Sequence, residues 1–223
     1  MTIHRTLLLG LLCAGVAQPL LADDSAGTWL VKVGINRITP HVKSGDLSAP
    51  SYPGTQIDVG SSARPILTVG YNFTDNVTAE FFAGLPYKHD ITGEGAIQGV
   101  GTIATVKQIS PTLMGQYHFF DPGTLFRPYV GIGATYVRNY GEQGTNVLTA
   151  LTNPGGSATT LHIDNGWGTS LQAGLAVKVH GNWFLDAGVI KTYFKTTAHL
   201  STGQHIDADL DPIALNLSAG YHF

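Results

Sequence analysis

Charge is scarce in this sequence. Its 223 residues include 12 Lys and Arg and 15 Asp and Glu, 12% in all, about half the roughly 25% usual for a soluble domain. Hydrophobic content is ordinary at 43%. That balance is the reverse of a disordered chain, which is poor in apolar residues and rich in net charge. A net charge of −3 leaves no basic footprint for nucleic acid. Cysteine is confined to Cys13, inside a segment read below as a leader. A disulfide framework, a cysteine nucleophile and a cysteine metal site are therefore not expected. Beyond the first 22 residues no run of about 18 apolar residues occurs, so no transmembrane helix is expected. Helical periodicity is nearly absent as well.

What is abundant is glycine, with 28 residues, and alternation. Residues 1–22 stand apart from both. His4 and Arg5 precede an apolar stretch from Leu7 to Ala17, and Pro19-Leu20-Leu21-Ala22 lies before Asp23-Asp24. This reads as a signal peptide cleaved near Ala22, too short to span a bilayer as a helix. Leu12 ahead of Cys13 is too large for a lipoprotein signal. The expected organisation is a leader at 1–22 and one domain at 23–223.

In that domain, period-two alternation recurs in segments of about ten residues between Gly-, Pro-, Asn- and Asp-rich connections. The segments are Trp29 to Thr39, Pro65 to Phe73, Val77 to Lys88, Ile103 to Phe120, Arg127 to Tyr140, Asn165 to Val179, Trp183 to Lys195 and Asp211 to Phe223. Connections alternate in length: roughly 40–63, 89–102, 141–164 and 196–210 are long, and 74–76, 121–126 and 180–182 are short. An even strand count with this rhythm predicts an all-β, eight-stranded antiparallel transmembrane β-barrel with short periplasmic turns and four long extracellular loops. A soluble β-sandwich also alternates, but does not usually keep this rhythm or one face nearly free of charge. Aromatic residues collect at segment ends, as interfacial girdles require. Phe73, Tyr117, Phe119, Trp183, Tyr221 and Phe223 lie by the short turns, and Tyr87, Tyr136, Trp167 and Tyr193 by the long connections.

Several segments carry a family resemblance. They are Thr74-Asp75-Asn76, Gly84-Leu85-Pro86-Tyr87-Lys88-His89, Pro111-Thr112-Leu113-Met114, Phe126-Arg127-Pro128-Tyr129-Val130-Gly131, Asn165-Gly166-Trp167-Gly168 and the ending Ser218-Ala219-Gly220-Tyr221-His222-Phe223. With them the chain resembles the outer membrane protein W (OmpW) family of Gram-negative bacteria over essentially its whole length after the leader. The resemblance implies location in the cell outer membrane, a narrow hydrophobic interior, and uptake of small hydrophobic molecules across the lipopolysaccharide layer. It also implies that a phage or bacteriocin could use the barrel as a receptor. The terminal Phe223, with Tyr221 before it, resembles the signal read by the outer-membrane assembly machinery.

Eight strands enclose a space that side chains fill or that holds one small ligand. Inward-facing apolar residues Leu30, Ile66, Phe82, Met114, Tyr129, Phe184 and Ile190 are the candidate channel lining; core filling is the plainer reading of each. Inward charges Lys32, Glu80, Lys178 and Asp186 lie nearer the periplasmic half. Pairing there would plug the base, because unpaired buried charge is costly. A plugged base would send a hydrophobic solute sideways into the bilayer. Pro111, inside a strand of a closed barrel, marks a bulge or kink and is the candidate lateral opening. Pro86 and Pro128 raise the same question more weakly. Lys191 points to lipid in this register unless a bulge intervenes, and would snorkel to the headgroups. Nine histidines show no ligand spacing on one element, so no metal and no cofactor are expected. No catalytic residues are expected either: His89-Asp90 and His162-Ile163-Asp164 supply the residue types of a barrel enzyme, but only as scattered loop residues. The alternative function is a structural, adhesive or receptor barrel with a filled interior.

Overall fold

A computed structural model describes residues 25–223; the expected leader and its cleavage site lie outside the described residues. Eight strands follow one another in an up-and-down meander. They are β1 (Trp29–Thr39), β2 (Ser62–Asn72), β3 (Val77–Gly84), β4 (Thr112–His118), β5 (Phe126–Gly144), β6 (Gly166–His180), β7 (Trp183–Tyr193) and β8 (Ile213–His222). Each pairs antiparallel with the next, and β8 pairs with β1, so the sheet closes on itself. Closure leaves these strands without an edge, as a membrane requires.

Alternation assigns the faces. Val33, Ile35, Leu67, Phe81, Ile132 and Leu217 are exposed on the outside, while Lys32, Thr68, Glu80, Gln116, Ser170 and Asp186 are buried inside. The apolar residues thus form the lipid-facing surface, where a midplane Lys or Arg would cost about 2–4 kcal/mol. Glycine makes room for the largest inward rings. A Cβ on Gly174 would sit 2.3 Å from the Tyr129 ring, and one on Gly220 would sit 2.3 Å from the Phe184 ring. At the short-turn end, Thr74 accepts from the backbone N–H groups of Asn76 and Val77. Arg127 then donates to the carbonyls of Asp75 and Phe120, fastening two turns together.

The long connections carry further strands. Thr55–Val59, Tyr87–Gly95 and Thr102–Ile109 extend the barrel wall outward along the upper half of β5. Lys43–Ser44, Leu161–Ile163, Lys195–Leu200 and His205–Asp209 make a second sheet. A short helix, Asn146–Thr152, is capped by the Thr145 hydroxyl, which accepts from Leu148 N–H. Together these elements enclose a second apolar core that includes Ile91, Ile103, Val106, Leu148, Leu200 and Ile206. Each fully buried side chain of this size contributes about 1.5–3 kcal/mol, so the extension has a core of its own.

The girdle at the short-turn end is a chain of ring contacts: Trp29–Tyr71–Phe73, Tyr117–Phe119 and Trp183–Tyr221–Phe223, with centroids 4.9–5.3 Å apart. At the other end Tyr136 packs on Trp167, and both Trp167 and Tyr193 are exposed. Tyr87 corrects the expected girdle. It is buried inside, where its hydroxyl accepts from Asn36 Nδ2 at 2.9 Å.

The reason lies in register. The β3–β4 ladder ends at Phe82 opposite Thr112, and the ladder beyond it begins at Tyr87 opposite Gln108. Between them Ala83–Pro86 stand against Ile109–Pro111, four residues against three. One extra residue turns every later side chain to the other face. Thr78, Glu80 and Phe82 point inward on β3, and Tyr87, His89 and Ile91 do so beyond it. Lys191 faces outward as its register predicts, with no bulge. Its ammonium turns back to the Asp211 carbonyl.

Candidate functional site

The barrel interior is layered. Lys32, from β1, lies 2.8 Å from the Glu80 carboxylate on β3 and 3.3 Å from Asp186 on β7, and all three are 2% exposed. Gln116 Nε2 donates to Glu80 at 2.8 Å and to Gln172 Oε1 at 2.9 Å. Gln116 Oε1 in turn accepts from His118 at 3.1 Å. The Lys32 ammonium is also 5.4 Å from the Phe82 ring centroid and 6.0 Å from that of Tyr129. Charges and amides from β1, β3, β4, β6 and β7 thus meet at one level. A buried charge left single costs several kcal/mol, so the three ions are tied to one another.

Lys178 stands outside this cluster. It lies opposite Phe184, next to a register shift at the end of β6, and lines a shallow mouth with Thr124, Arg127 and His222. It is two positions on from Ala176, the β6 neighbour of Asp186, so alternation alone brought it into the expected plug.

The expected lining residues divide around the ion layer. Ile66, Phe82, Met114 and Ile190 form one buried apolar cluster with Ala214, on the side of the long connections. Leu30, Tyr129 and Phe184 are buried toward the short turns. Leu30 pairs with His222, Phe184 packs on His222 at 4.5 Å, and Tyr129 stacks on His118 at 4.9 Å. Beside the apolar cluster runs a belt of hydroxyls, Thr112–Thr135–Ser170–Thr192, with successive oxygens 2.7–2.8 Å apart. These hydroxyls satisfy one another and offer the interior few free polar atoms.

Three cavities follow in line from this point outward. The first is in the barrel and is lined by Ile66, Phe82, Gly84, Tyr87, Gln108 and Ile190 among others. The second lies within the extension, among Ile57, His89, Val106, Gln108, Ile163 and Ile206. The third sits under the helix, among Leu47, Ile91, Ile103, Leu148, Leu200 and Ile206. Gln108 borders the first and second, and Ile57, Ile91, Ala198 and Ile206 border the second and third. Their volumes are about 50, 40 and 50 Å³, far below the roughly 300–1,000 Å³ of a ligand pocket. The path is constricted, and a solute would have to displace side chains to travel it.

The first cavity reaches the unpaired stretch of wall. Ala83, Gly84, Tyr87, Gln108 and Ser110 all line it. Pro111 stands on the rim, but its carbonyl accepts from Tyr136 N–H on β5. A residue there therefore directs its backbone polar groups to β5 and not into the gap. On the opposite rim Leu85 N–H donates to the Pro65 carbonyl, and the Pro86 carbonyl accepts from Arg64 Nε at 3.0 Å. Both prolines face away from the gap, and the extra residue at Ala83–Pro86 is what separates the ladders. Sequence reasoning placed Tyr87 in a girdle and His89 in a loop. The signal for both was present in the alternation Tyr87, His89, Ile91, which restarts after Pro86 in the other phase.

No group of three or more His, Cys, Asp or Glu side chains suited to a metal occurs among the described residues. Tyr221 packs between Trp183 and Phe223 at the barrel's short-turn rim, and Phe223 is exposed.

Comparison with known proteins agrees with this architecture. The sequence model of the OmpW family matches residues 25–223. Outer membrane protein W of Vibrio cholerae is 32% identical, over 96% of this chain and 97% of that protein. The dibenzothiophene metabolism operon protein PahQ of Pseudomonas aeruginosa is 24% identical, over 99% and 100% of the two. Among solved structures, the outer membrane protein OprG of Pseudomonas aeruginosa shares the fold with a TM-score of 0.79 at 24% identity, covering 92% of this chain and 99% of that one.

Proposed function

The chain belongs to the OmpW family, and from that premise we propose that it carries small hydrophobic molecules from outside the cell through the outer membrane barrier. The solute enters the apolar core of the extension, passes inward between its sheets, and stops above the Lys32–Glu80–Asp186 layer. It leaves sideways through the wall at Ala83–Pro86 and Ile109–Pro111. The observation that carries this reading is a cavity that reaches the unpaired wall segment and whose lining residue Phe82 has the Lys32 ammonium of the charged layer 5.4 Å from its ring. A barrel whose interior served packing alone would have no need of that gap. The operon named for the relative PahQ concerns dibenzothiophene, an apolar molecule, which suits a path of this lining. In this reading Tyr221 and Phe223 serve recognition by the assembly machinery, and lipopolysaccharide surrounds the extension.

The reading is tested by comparing two solute classes. Cells with an intact lipopolysaccharide layer should accumulate an isotopically labelled alkane or arene faster with the protein than without it. Liposomes containing the purified protein should stay closed to hydrophilic solutes of a few hundred daltons. Free passage of such solutes, or no gain in apolar uptake, would contradict it.

A further inference from the structure

The middle cavity contains one polar atom with nothing to bond. His89 lies on Tyr87–Gly95 opposite Val106 and is 1% exposed. Its Nδ1 is 2.6 Å from the Gly60 carbonyl oxygen. A carbonyl only accepts, so Nδ1 carries the hydrogen, and Nε2 of the neutral ring is an acceptor. Burial pushes the ring's pKa below the ordinary histidine value, outweighing the Gly60 bond and Asp90, which act the other way; the ring therefore stays neutral at neutral pH. Nε2 has no partner. Among the described residues it is the one buried side-chain nitrogen or oxygen of the outer extension in that condition.

Its polar neighbours along the cavity are already engaged. Asn139 Nδ2 and Thr196 Oγ1 both donate to the Asp164 carbonyl, and Gln108 Nε2 donates to Ser110. The remaining lining includes Ile57, Val59, Ile91, Val106, Ile163 and Ile206. An unpartnered acceptor in such apolar surroundings gains most from a hydroxyl that arrives attached to an apolar body. Toward the wall gap the next unpartnered polar atoms are Asn36 Oδ1 and the side-chain amide of Asn216, both in the barrel cavity.

We propose that the path selects apolar molecules carrying one hydroxyl, alcohols or phenols, over bare hydrocarbons, and that His89 Nε2 is the acceptor that reads the hydroxyl. The proposal rests on the transport reading above and names its solute class.

The test uses a matched pair, labelled 1-octanol and octane, in cells expressing the full chain or its His89→Leu variant, with cells lacking the protein as the baseline. A single hydrogen bond corresponds to roughly a two- to tenfold preference. The wild type should favour octanol over octane by that ratio above baseline, and His89→Leu should bring the ratio to about one. Should His89→Leu not assemble, the imidazole ¹⁵N signals of wild-type protein in micelles serve instead: the Nε2 resonance should move with octanol and not with octane. Equal uptake of the two by wild type, a preference that survives in His89→Leu, or an Nε2 resonance indifferent to octanol would each overturn the proposal. Uptake of neither molecule above baseline would instead overturn the transport reading on which it stands.

Discussion

At the scale of single residues, the interior depends on a few groups held by several strands at once. Lys32 is shared by Glu80 and Asp186, so its removal leaves two carboxylates buried without their cation. Lys32→Met should lower the unfolding free energy in detergent by about 3–5 kcal/mol, read from the urea midpoint, whereas a joint Lys32→Met, Glu80→Met, Asp186→Leu replacement should recover most of that loss. His89 gives a pH dependence of opposite origin. Its pKa is lowered in the folded extension, first by burial, so the unfolded segment takes up the proton at a higher pH than the folded one. Stability of the extension is therefore full above the ordinary histidine pKa of roughly 6.5 and falls as pH drops below it toward the depressed value. Amide hydrogen exchange in Tyr87–Gly95 and Thr102–Ile109, corrected for intrinsic rates, should accelerate between about pH 7.5 and about pH 5. His89→Gln should remove the part of that acceleration due to this ring.

At the scale of elements, the eight barrel strands were legible because alternation against lipid is absolute: Val33, Ile35, Leu67 and Leu217 meet hydrocarbon, and their neighbours cannot. The inward placing of Lys32, Glu80 and Asp186 was legible for the same reason, since these charges had no outward option. The wall gap was only half legible. Pro111 drew notice as a residue without an N–H, but the separation of the ladders comes from one residue too many at Ala83–Pro86. A sequence does not show which residue a strand loops out until its partner's register is known. Tyr87 and His89 were misplaced on that account. The second sheet was not legible at all, because Lys43–Ser44 and Leu161–Ile163 are too short to show a period. Two changes separate the two rims. Pro111→Val restores a donor toward β5 and should leave apolar uptake near the wild-type level. Deleting Pro86 removes the extra residue while keeping Tyr87, His89 and Ile91 on the inward face, so β3 can run unbroken into Tyr87–Gly95, and uptake should fall severalfold in protein that still assembles. Strong loss in Pro111→Val with normal uptake in the deletion would reverse the assignment of the two rims.

At the scale of the whole molecule, the scarcity of charge and the shape of the path have one cause. Lipid closes the middle of the outward faces to charge, and inside the barrel Lys32, Glu80 and Asp186 meet in one layer. In the proposed path the apolar extension leads to the unpaired wall. The described residues contain no cysteine, so a removable bridge can be placed across that wall alone. The decisive measurement is apolar uptake by cells carrying a Gly84→Cys, Ser110→Cys chain joined by a short, reducible bifunctional thiol reagent. Uptake should drop to that of cells without the protein when the bridge forms and return when it is cut. Undiminished uptake with the bridge in place would show that the solute does not leave through this wall.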